Sequence, residues 1–262
     1  MKKGICIVCV PGDSLDDRLA AARAAGYDGV ELSVTAPGKG PLTPASTEAE
    51  VRALGARVRA AGLEAPTLMG GGAYLISPDA EERARGVAHM RAVLQRAVWL
   101  GAGDVLLHPG QLQPAARYDE AFDWLLSGLR ELRSAAEVLG VGIGVENVWN
   151  KFLLSPREMR ELIDSVDCPL IGCYFDVGNF LPWAYAEQWV RILGRRIRRV
   201  HVKDFRRRVG TYEGFCQLLD GDANYPEVIK ALREVGYDGY LTSEVDGDIV
   251  ETARRLDQIL AM

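Results

Sequence analysis

Short apolar runs alternate with longer amphipathic stretches along the whole chain. The strand-like runs fall near residues 4–10, 28–34, 63–69, 103–108, 141–146, 170–176, 197–202 and 238–244. Between them, apolar residues recur with the helical period near residues 15–25, 46–61, 78–100, 117–139, 155–165, 184–194, 225–235 and 247–260. Strands that alternate with helices in this way predict a parallel sheet, and eight strands suffice to close it into a barrel.

Signals at the helix ends support this division. Ser14 with Asp17, and Ser155 with Glu158, have the spacing of a capping box. Glycine follows several of the predicted helices, at Gly26, Gly62, Gly101, Gly140 and Gly236. The chain has 262 residues, close to the roughly 250 of a TIM barrel, and no composition shift marks a second domain. The sequence therefore predicts a single-domain (β/α)8 TIM barrel over residues 1–262.

The composition narrows the classes of partner. Hydrophobic residues make up 48% and charged residues 26%, which is typical of globular proteins. The net charge of −5 argues against a polyanion as the main partner, so we expect no nucleic-acid partner. The first apolar run is interrupted by Pro11 and Gly12 and is too short to span a membrane. We expect a cytoplasmic protein, for which a homo-oligomeric state stays open.

The five cysteines do not indicate a disulfide framework. Cys6 and Cys9 form a C-x-x-C inside an apolar run of β type, where side chains three apart point to opposite faces. No second cysteine pair completes a zinc site. We therefore expect both to be buried structural thiols.

Four consecutive predicted strands end in residues that are common metal ligands: Glu146, Asp176, His201 and Glu244. A TIM barrel has its chemistry at these strand ends. Three carboxylates that converge on one axis repel each other unless a cation or protons balance them. Oxygen ligands with one imidazole suit Mn2+, Mg2+, Co2+ or Zn2+ without choosing among them. The pattern predicts one divalent-metal site, and Gly142 and Gly144 below Glu146 are expected to leave room at the barrel top.

Other polar residues are weaker candidates. His108 ends the fourth strand, and we expect it to contact a substrate hydroxyl or carbonyl; the alternative is a hydrogen bond to loop backbone. Glu31 ends the second strand and is a similar but weaker candidate, whereas His89 lies mid-helix and is interpreted as structural. The segment 203–224 is the longest without clear periodicity, which in a compact barrel favours a functional loop.

Four aromatic residues follow these strand ends: Trp149, Phe152, Trp183 and Tyr185. The sequence leaves open whether they line a pocket, contact a second subunit or pack within loops.

Several motifs at these positions are specific to one superfamily: Val145-Glu146-Asn147, Phe175-Asp176-Val177-Gly178-Asn179, Val200-His201-Val202-Lys203-Asp204, Leu219-Asp220-Gly221-Asp222 and Thr242-Ser243-Glu244. With them the chain resembles the xylose-isomerase-like barrels, which are sugar and sugar-phosphate isomerases and epimerases. The resemblance is densest from 141 to 246. It implies that Glu146, Asp176, His201 and Glu244 bind one divalent ion. It also implies C3 epimerisation of a ketose through an enediolate, with Glu146 and Glu244 as the acid/base pair.

The substrate is less clearly indicated. Asn179 stands where many epimerases of free ketoses have histidine, and the D-V-G-N form looks more like the pentulose 5-phosphate branch, such as L-ribulose- or L-xylulose-5-phosphate 3-epimerases. Arg207 matches a substrate-contacting arginine of the epimerases, and Lys203 is a second cation that a phosphate would favour. Lys151 and Arg157 are also near active strand ends in sequence, and we interpret them as solvated charges.

Other functions compete with epimerisation. Aldose–ketose isomerisation, hydroxypyruvate isomerisation and dehydration of inososes or dehydroshikimate use similar sites, and fold and ligands do not choose among them. The apurinic endonuclease branch uses several histidines around a multi-metal cluster, whereas this chain has three histidines and an acidic net charge. A sugar-binding domain without activity is expected to lack one of the glutamates, and both are present.

Overall fold

The computed structural model describes residues 1–36 and 38–262 and forms a closed barrel of eight parallel strands. The barrel strands are β1 (Lys2–Cys6), β2 (Gly29–Ser33), β3 (Thr67–Gly72), β4 (Asp104–His108), β5 (Gly142–Glu146), β6 (Ile171–Asp176), β7 (Ile197–Val202) and β10 (Tyr240–Ser243). Around the barrel these strands follow the order β1-β10-β7-β6-β5-β4-β3-β2. Two short strands, β8 (Asp204–Phe205) and β9 (Phe215–Cys216), pair as an antiparallel hairpin after β7. The predicted fold class is confirmed.

The helices cover the outside of the barrel. They are α1 (Leu15–Ala24), α2 (Glu48–Ala60), α3 (Ala80–Leu100), α4 (Tyr118–Leu139), α5 (Pro156–Val166), α6 (Ala186–Leu193), α7 (Tyr225–Glu234) and α8 (Ile249–Leu260). Ser14 and Ser155 form the predicted capping boxes. Among the helices that the structure describes, none has both the length and the apolar composition needed to cross a bilayer.

Two strands differ from the sequence prediction. β1 ends at Cys6, because Ile7–Cys9 turn into a 3-10 helix closed by the Val10 N–H on the Ile7 carbonyl. β3 begins at Thr67 rather than near residue 63. Pro66, which has no N–H to donate to a ladder, immediately precedes it.

The barrel interior below the strand ends is filled by side chains. A Cβ at Gly144 would lie 2.9 Å from the Cβ of Tyr174, and a Cβ at Gly142 would lie 2.1 Å from Oδ1 of Asp104. The buried carboxylate of Asp104 forms an ion pair with half-buried Arg198 and another with Nη2 of half-buried Arg199 at 2.7 Å. The expectation that these glycines leave open room at the barrel top is therefore wrong: they make room for Tyr174 and for this ion pair.

Candidate metal centre and active site

The four predicted ligand residues converge at the C-terminal mouth of the barrel. Nδ1 of His201 lies 3.5 Å from Oε1 of Glu146, 3.7 Å from Oε2 of Glu244 and 4.0 Å from Oδ2 of Asp176. One ligand atom from each residue lies within 4.8 Å of the others. Strands that are distant in sequence but adjacent in the barrel bring these atoms together.

This arrangement fits a divalent ion. The buried Nδ1 of His201 has no hydrogen-bond partner among the described residues. Asp176 binds the backbone N–H groups of Gly178 and Asn179 through Oδ1, which leaves Oδ2 directed at the cluster. The separations of 3.5, 3.7 and 4.0 Å between Nδ1 and the three carboxylate oxygens exceed ordinary hydrogen-bond lengths and suit donor atoms that share one ion. An imidazole with three carboxylates is a donor set for Mn2+, Mg2+, Co2+ or Zn2+.

Glu31 orients the imidazole from behind. Its Oε1 lies 2.8 Å from Nε2 of His201, while its Oε2 accepts from Oγ1 of Thr67 at 2.6 Å and from the Tyr174 hydroxyl. When Nε2–H donates to Glu31, the lone pair of Nδ1 is left for the metal side. Glu31 is fully buried beneath His201, so it lies away from the mouth where the sequence suggested a substrate contact. The sequence signal for this role was the position of Glu31 on the inward-facing side of β2.

The two glutamates hold protons differently. Burial raises the pKa of Glu146 to about 7. Burial acts in the same direction on Glu244, but His201 and Lys203 outweigh it and lower the pKa of that carboxyl. Two carboxyl groups with separated proton affinities are the usual basis of an acid/base pair.

Lys203 balances part of the negative charge. Its Nζ lies 2.6 Å from Oε2 of Glu244 and 3.0 Å from Oδ2 of Asp176. Burial acts to lower the pKa of Lys203, but Asp176 and Glu244 outweigh it and raise the pKa, so the ammonium stays charged. The cluster is therefore compensated by one fixed cation before any ion binds.

A cavity of about 1080 Å³ opens in front of the cluster. His108 and Asn179 line it. Nδ1 of His108 accepts from the Gly110 N–H at 3.0 Å, and burial lowers the pKa of the ring, so a neutral imidazole keeps Nε2–H as a donor. Asn179 donates from Nδ2 to the Asn147 carbonyl at 2.8 Å, which leaves its side-chain oxygen as an acceptor.

The model of the xylose isomerase-like TIM barrel family matches residues 19–260. This chain belongs to that family.

The relatives with curated names cover part of this chain. It is 29% identical over 163 residues to an uncharacterized protein, MJ1311, of Methanocaldococcus jannaschii, which is 59% of this chain and 55% of the relative. It is 25% identical over 147 residues to inosose dehydratase of Clostridium perfringens, which is 50% of this chain and 49% of the relative. The chain thus spans about half the length of these relatives.

Solved structures match over the full length. A D-tagatose 3-epimerase-like protein superposes with a TM-score of 0.85 at 22% identity, covering 100% of this chain and 97% of the other. The IolI protein with a bound zinc atom superposes with a TM-score of 0.82 at 16% identity, covering 100% and 98%. Both share the barrel of the family.

Arg207, predicted to contact the substrate, lies outside the cavity lining, as do Lys151 and Arg157, which were interpreted as solvated charges. The Arg207 guanidinium stacks 4.8 Å from the centre of the Tyr185 ring and donates to the Ala184 carbonyl at 3.1 Å, outside the cavity lining. Lys151 and Arg157 are exposed and also lie outside the lining. His89 contacts the Gly70 carbonyl at 2.6 Å through Nε2.

The four aromatic residues have separate environments. Trp149 lines the cavity, and exposed Trp183 packs against it with ring centroids 5.5 Å apart. Phe152 is fully buried against Tyr118, and Tyr185 is exposed beside Arg207.

Sequence reasoning missed several lining residues because their loops have no periodicity: Tyr74, Tyr212, Glu213, Phe215 and Asp246. Three of them lie in the long segment 203–224 that the sequence marked as functional. Cys9 was predicted to be buried; it is half-buried and lines the cavity, because the turn after β1 replaces the predicted strand. Cys6 is buried, with Sγ 3.6 Å from Nε2 of His201.

Proposed function

We propose that this protein is a divalent-metal-dependent epimerase that inverts C3 of a ketose through an enediolate. The observation that carries the proposal is that Glu146 and Glu244 both line the cavity beside the cluster, with carboxylate oxygens 3.5 and 3.7 Å from Nδ1 of His201. Inversion of a carbon needs one group to remove a proton from one face and another group to deliver a proton to the opposite face. Glu146 at the end of β5 and Glu244 after β10 come from the two ends of a run of four adjacent barrel strands, so two separate carboxyl groups are available for these two tasks.

Each residue has a defined task in this scheme. Glu146, Asp176, His201 and Glu244 would hold the ion, which when bound stabilises the negative charge that develops on the substrate oxygens. Glu146 and Glu244 exchange the proton at C3. His108 donates from Nε2–H to a substrate oxygen, and the side-chain oxygen of Asn179 accepts from a substrate hydroxyl. Lys203 offsets part of the negative charge of Asp176 and Glu244 and so reduces their repulsion of the substrate oxygens.

The similar proteins support this scheme and also a second one. The fold matches a D-tagatose 3-epimerase-like protein, while one relative is named inosose dehydratase. A dehydratase shares the first step, proton removal next to a carbonyl, but then expels a neighbouring hydroxyl as water. We keep dehydration of a cyclic or open-chain ketose as the second candidate because of that relative.

The test is solvent deuterium exchange. Free ketoses are incubated with the protein and Mg2+ in D2O, and the deuterium position is read by NMR after the metal is removed. We expect label at C3 and appearance of the C3 epimer. Glu146→Gln and Glu244→Gln should each lower the exchange rate by at least about 100-fold, as the loss of a general base does. Glu227→Gln, a surface glutamate in an ion pair with Arg191, is the matched control.

The outcomes separate the candidates. Label at C1 alone indicates an aldose–ketose isomerase, and an unsaturated or deoxy product indicates a dehydratase. Exchange at C3 that both glutamine variants leave unchanged contradicts the assigned acid/base pair.

A further inference from the structure

We propose that the substrate is an uncharged sugar without a phosphate, and that it extends beyond the reacting ketose to a second ring held on an aromatic wall. The aromatic wall consists of Phe215, Trp149 and Tyr212. The inference rests on the proposed function for the position of the reacting ketose.

The charges around the cavity disfavour a phosphate. Four carboxyl groups line it, at Glu146, Glu213, Glu244 and Asp246. Among the described lining residues the cations are limited to Lys203, which is already paired with Asp176 and Glu244, and no arginine is present. A phosphate dianion placed here would meet more negative charge than positive charge and no guanidinium fork.

The backbone donors that often bind phosphate in this fold are already used. In many TIM barrels, phosphate binds at the loops after the seventh and eighth strands. Here the Asp204 carboxylate, after β7, accepts from the N–H groups of Phe205, Leu219 and Ala223 at 2.8, 3.1 and 3.0 Å. After β10, Asp248 accepts from the first-turn N–H groups of α8. Carboxylates of the chain itself thus occupy the places where an anion would bind.

The aromatic wall leads outward from the cluster. Nζ of Lys203 lies 5.3 Å from the centre of the Phe215 ring, and that ring lies 5.2 Å from Trp149 and 5.3 Å from Tyr212. The Trp149 indole is fixed by donating Nε1–H to the Asn179 carbonyl. Tyr212 stands at the outer end and is 75% exposed. A partly exposed group of aromatic rings of this kind can pack against the apolar C–H faces of sugar rings.

The opposite side of the cavity also carries an exposed aromatic ring. Tyr74 lines the cavity and is 54% exposed, with a left-handed φ of 52° that costs a non-glycine residue energy. The cavity of about 1080 Å³ reaches the upper end of the roughly 300–1,000 Å³ seen for drug-sized ligands. A single ketose is much smaller than such a ligand, so the outer part is available for a second ring.

Three ketoses that differ only at O6 provide the test: D-fructose, D-fructose 6-phosphate and isomaltulose, in which O6 carries a glucosyl group. Exchange at C3 is measured for each with Mg2+, and binding is measured separately by calorimetry on the Glu146→Gln variant. We expect isomaltulose to exceed fructose by about tenfold or more in kcat/KM and in affinity, and fructose 6-phosphate to fall below fructose.

A pair of tyrosine variants locates the effect. Tyr212→Ala should lower kcat/KM for isomaltulose about fivefold more than it lowers kcat/KM for fructose, which is the order of one aromatic contact. Tyr185→Ala, at an exposed tyrosine outside the cavity lining, should change kcat/KM for neither sugar.

The failures are distinguishable. If none of the three exchanges at C3 but isomaltulose binds more tightly than the other two, the epimerase assignment fails and the substrate inference stands. The inference is overturned if fructose 6-phosphate binds or turns over as well as fructose or better. It is also overturned if both the affinity and the kcat/KM for isomaltulose are equal to or lower than those for fructose.

Discussion

At the scale of single residues, the imidazole of His201 is held from both ends. Glu31, itself fixed by Thr67 and Tyr174, takes Nε2, and the carboxylate cluster surrounds Nδ1. Three residues outside the proposed ligand set, Glu31, Thr67 and Tyr174, thus determine where the free lone pair of Nδ1 points. Mutation of such an outer hydrogen-bond partner typically weakens metal affinity by about 10- to 100-fold.

The first prediction follows from this contact. Glu31→Gln should weaken Mn2+ affinity by about 10- to 100-fold, because the amide removes the charged acceptor that selects the His201 tautomer. Calorimetric titration of the metal-free protein measures it. Glu64→Gln is the control, since Glu64 also accepts from a tyrosine hydroxyl, Tyr240 at 2.6 Å, but at the surface. Equal affinity in wild type and Glu31→Gln would contradict the positioning role.

The second prediction concerns Glu146 in the metal-free protein. Burial raises its pKa from 4.5 to about 7, so the folded state retains a proton that the unfolded state releases. The contribution of this group to stability is complete below about pH 4.5 and is lost as the pH rises through about 7. The loss amounts to about 3 kcal/mol at most, at 1.36 kcal/mol per pKa unit.

Glu146→Gln removes this titration. With EDTA present, the free energy of unfolding of the variant should therefore gain on that of wild type between pH 5 and pH 7.5. Urea denaturation at several pH values measures both. A constant difference across the range argues against the raised pKa.

At the scale of elements, Asp204 ties the loop after β7 together. Its carboxylate binds three backbone N–H groups, and a Cβ at Gly221 would lie 2.2 Å from its Oδ1, so the segment wraps closely around it. The same segment carries Tyr212 and Phe215 to the cavity. The order of this loop and the shape of the cavity therefore depend on one buried carboxylate.

The third prediction is that Asp204→Ala loosens this segment. Amide hydrogen exchange in residues 205–223 should accelerate by at least about tenfold, because each buried donor left unpaired costs about 1–3 kcal/mol. Mass spectrometry of deuterated peptides measures it. Asp222→Ala, which removes the single acceptor of the Arg207 N–H at 2.7 Å, should give a smaller change. Comparable acceleration in both variants would show that Asp204 is not the anchor.

At the scale of the whole molecule, the four candidate ligand residues come from four barrel strands, so an ion bound to them would favour the closed barrel over the unfolded chain. The fourth prediction is that Mn2+ at 100 times its Kd adds about 2.7 kcal/mol to the free energy of unfolding. Thermal unfolding with metal and with EDTA measures the shift. Glu244→Gln should reduce the shift strongly, and the Glu227→Gln surface variant should keep it. An equal shift in all three proteins would place the ion elsewhere.

The sequence by itself determined the barrel and the convergence of the four candidate ligand residues at its mouth. Strand periodicity reports which residues face inward, and parallel strands must present their C-terminal ends at one rim, so Glu146, Asp176, His201 and Glu244 followed without any contact information. The α-helices of the described residues followed in the same way from their period, with capping boxes at Ser14 and Ser155.

Tertiary structure alone decided what lies beneath and around that ring. Tyr174 fills the space beside Gly144, and Glu31 contacts Nε2 of His201. Arg207 stacks on Tyr185 instead of entering the cavity. These outcomes depend on side chains from distant strands and on loops that lack periodicity. The local sequence pattern indicates on which face of its strand a side chain lies. The closed barrel and the loops at its mouth determine which neighbouring side chains it contacts.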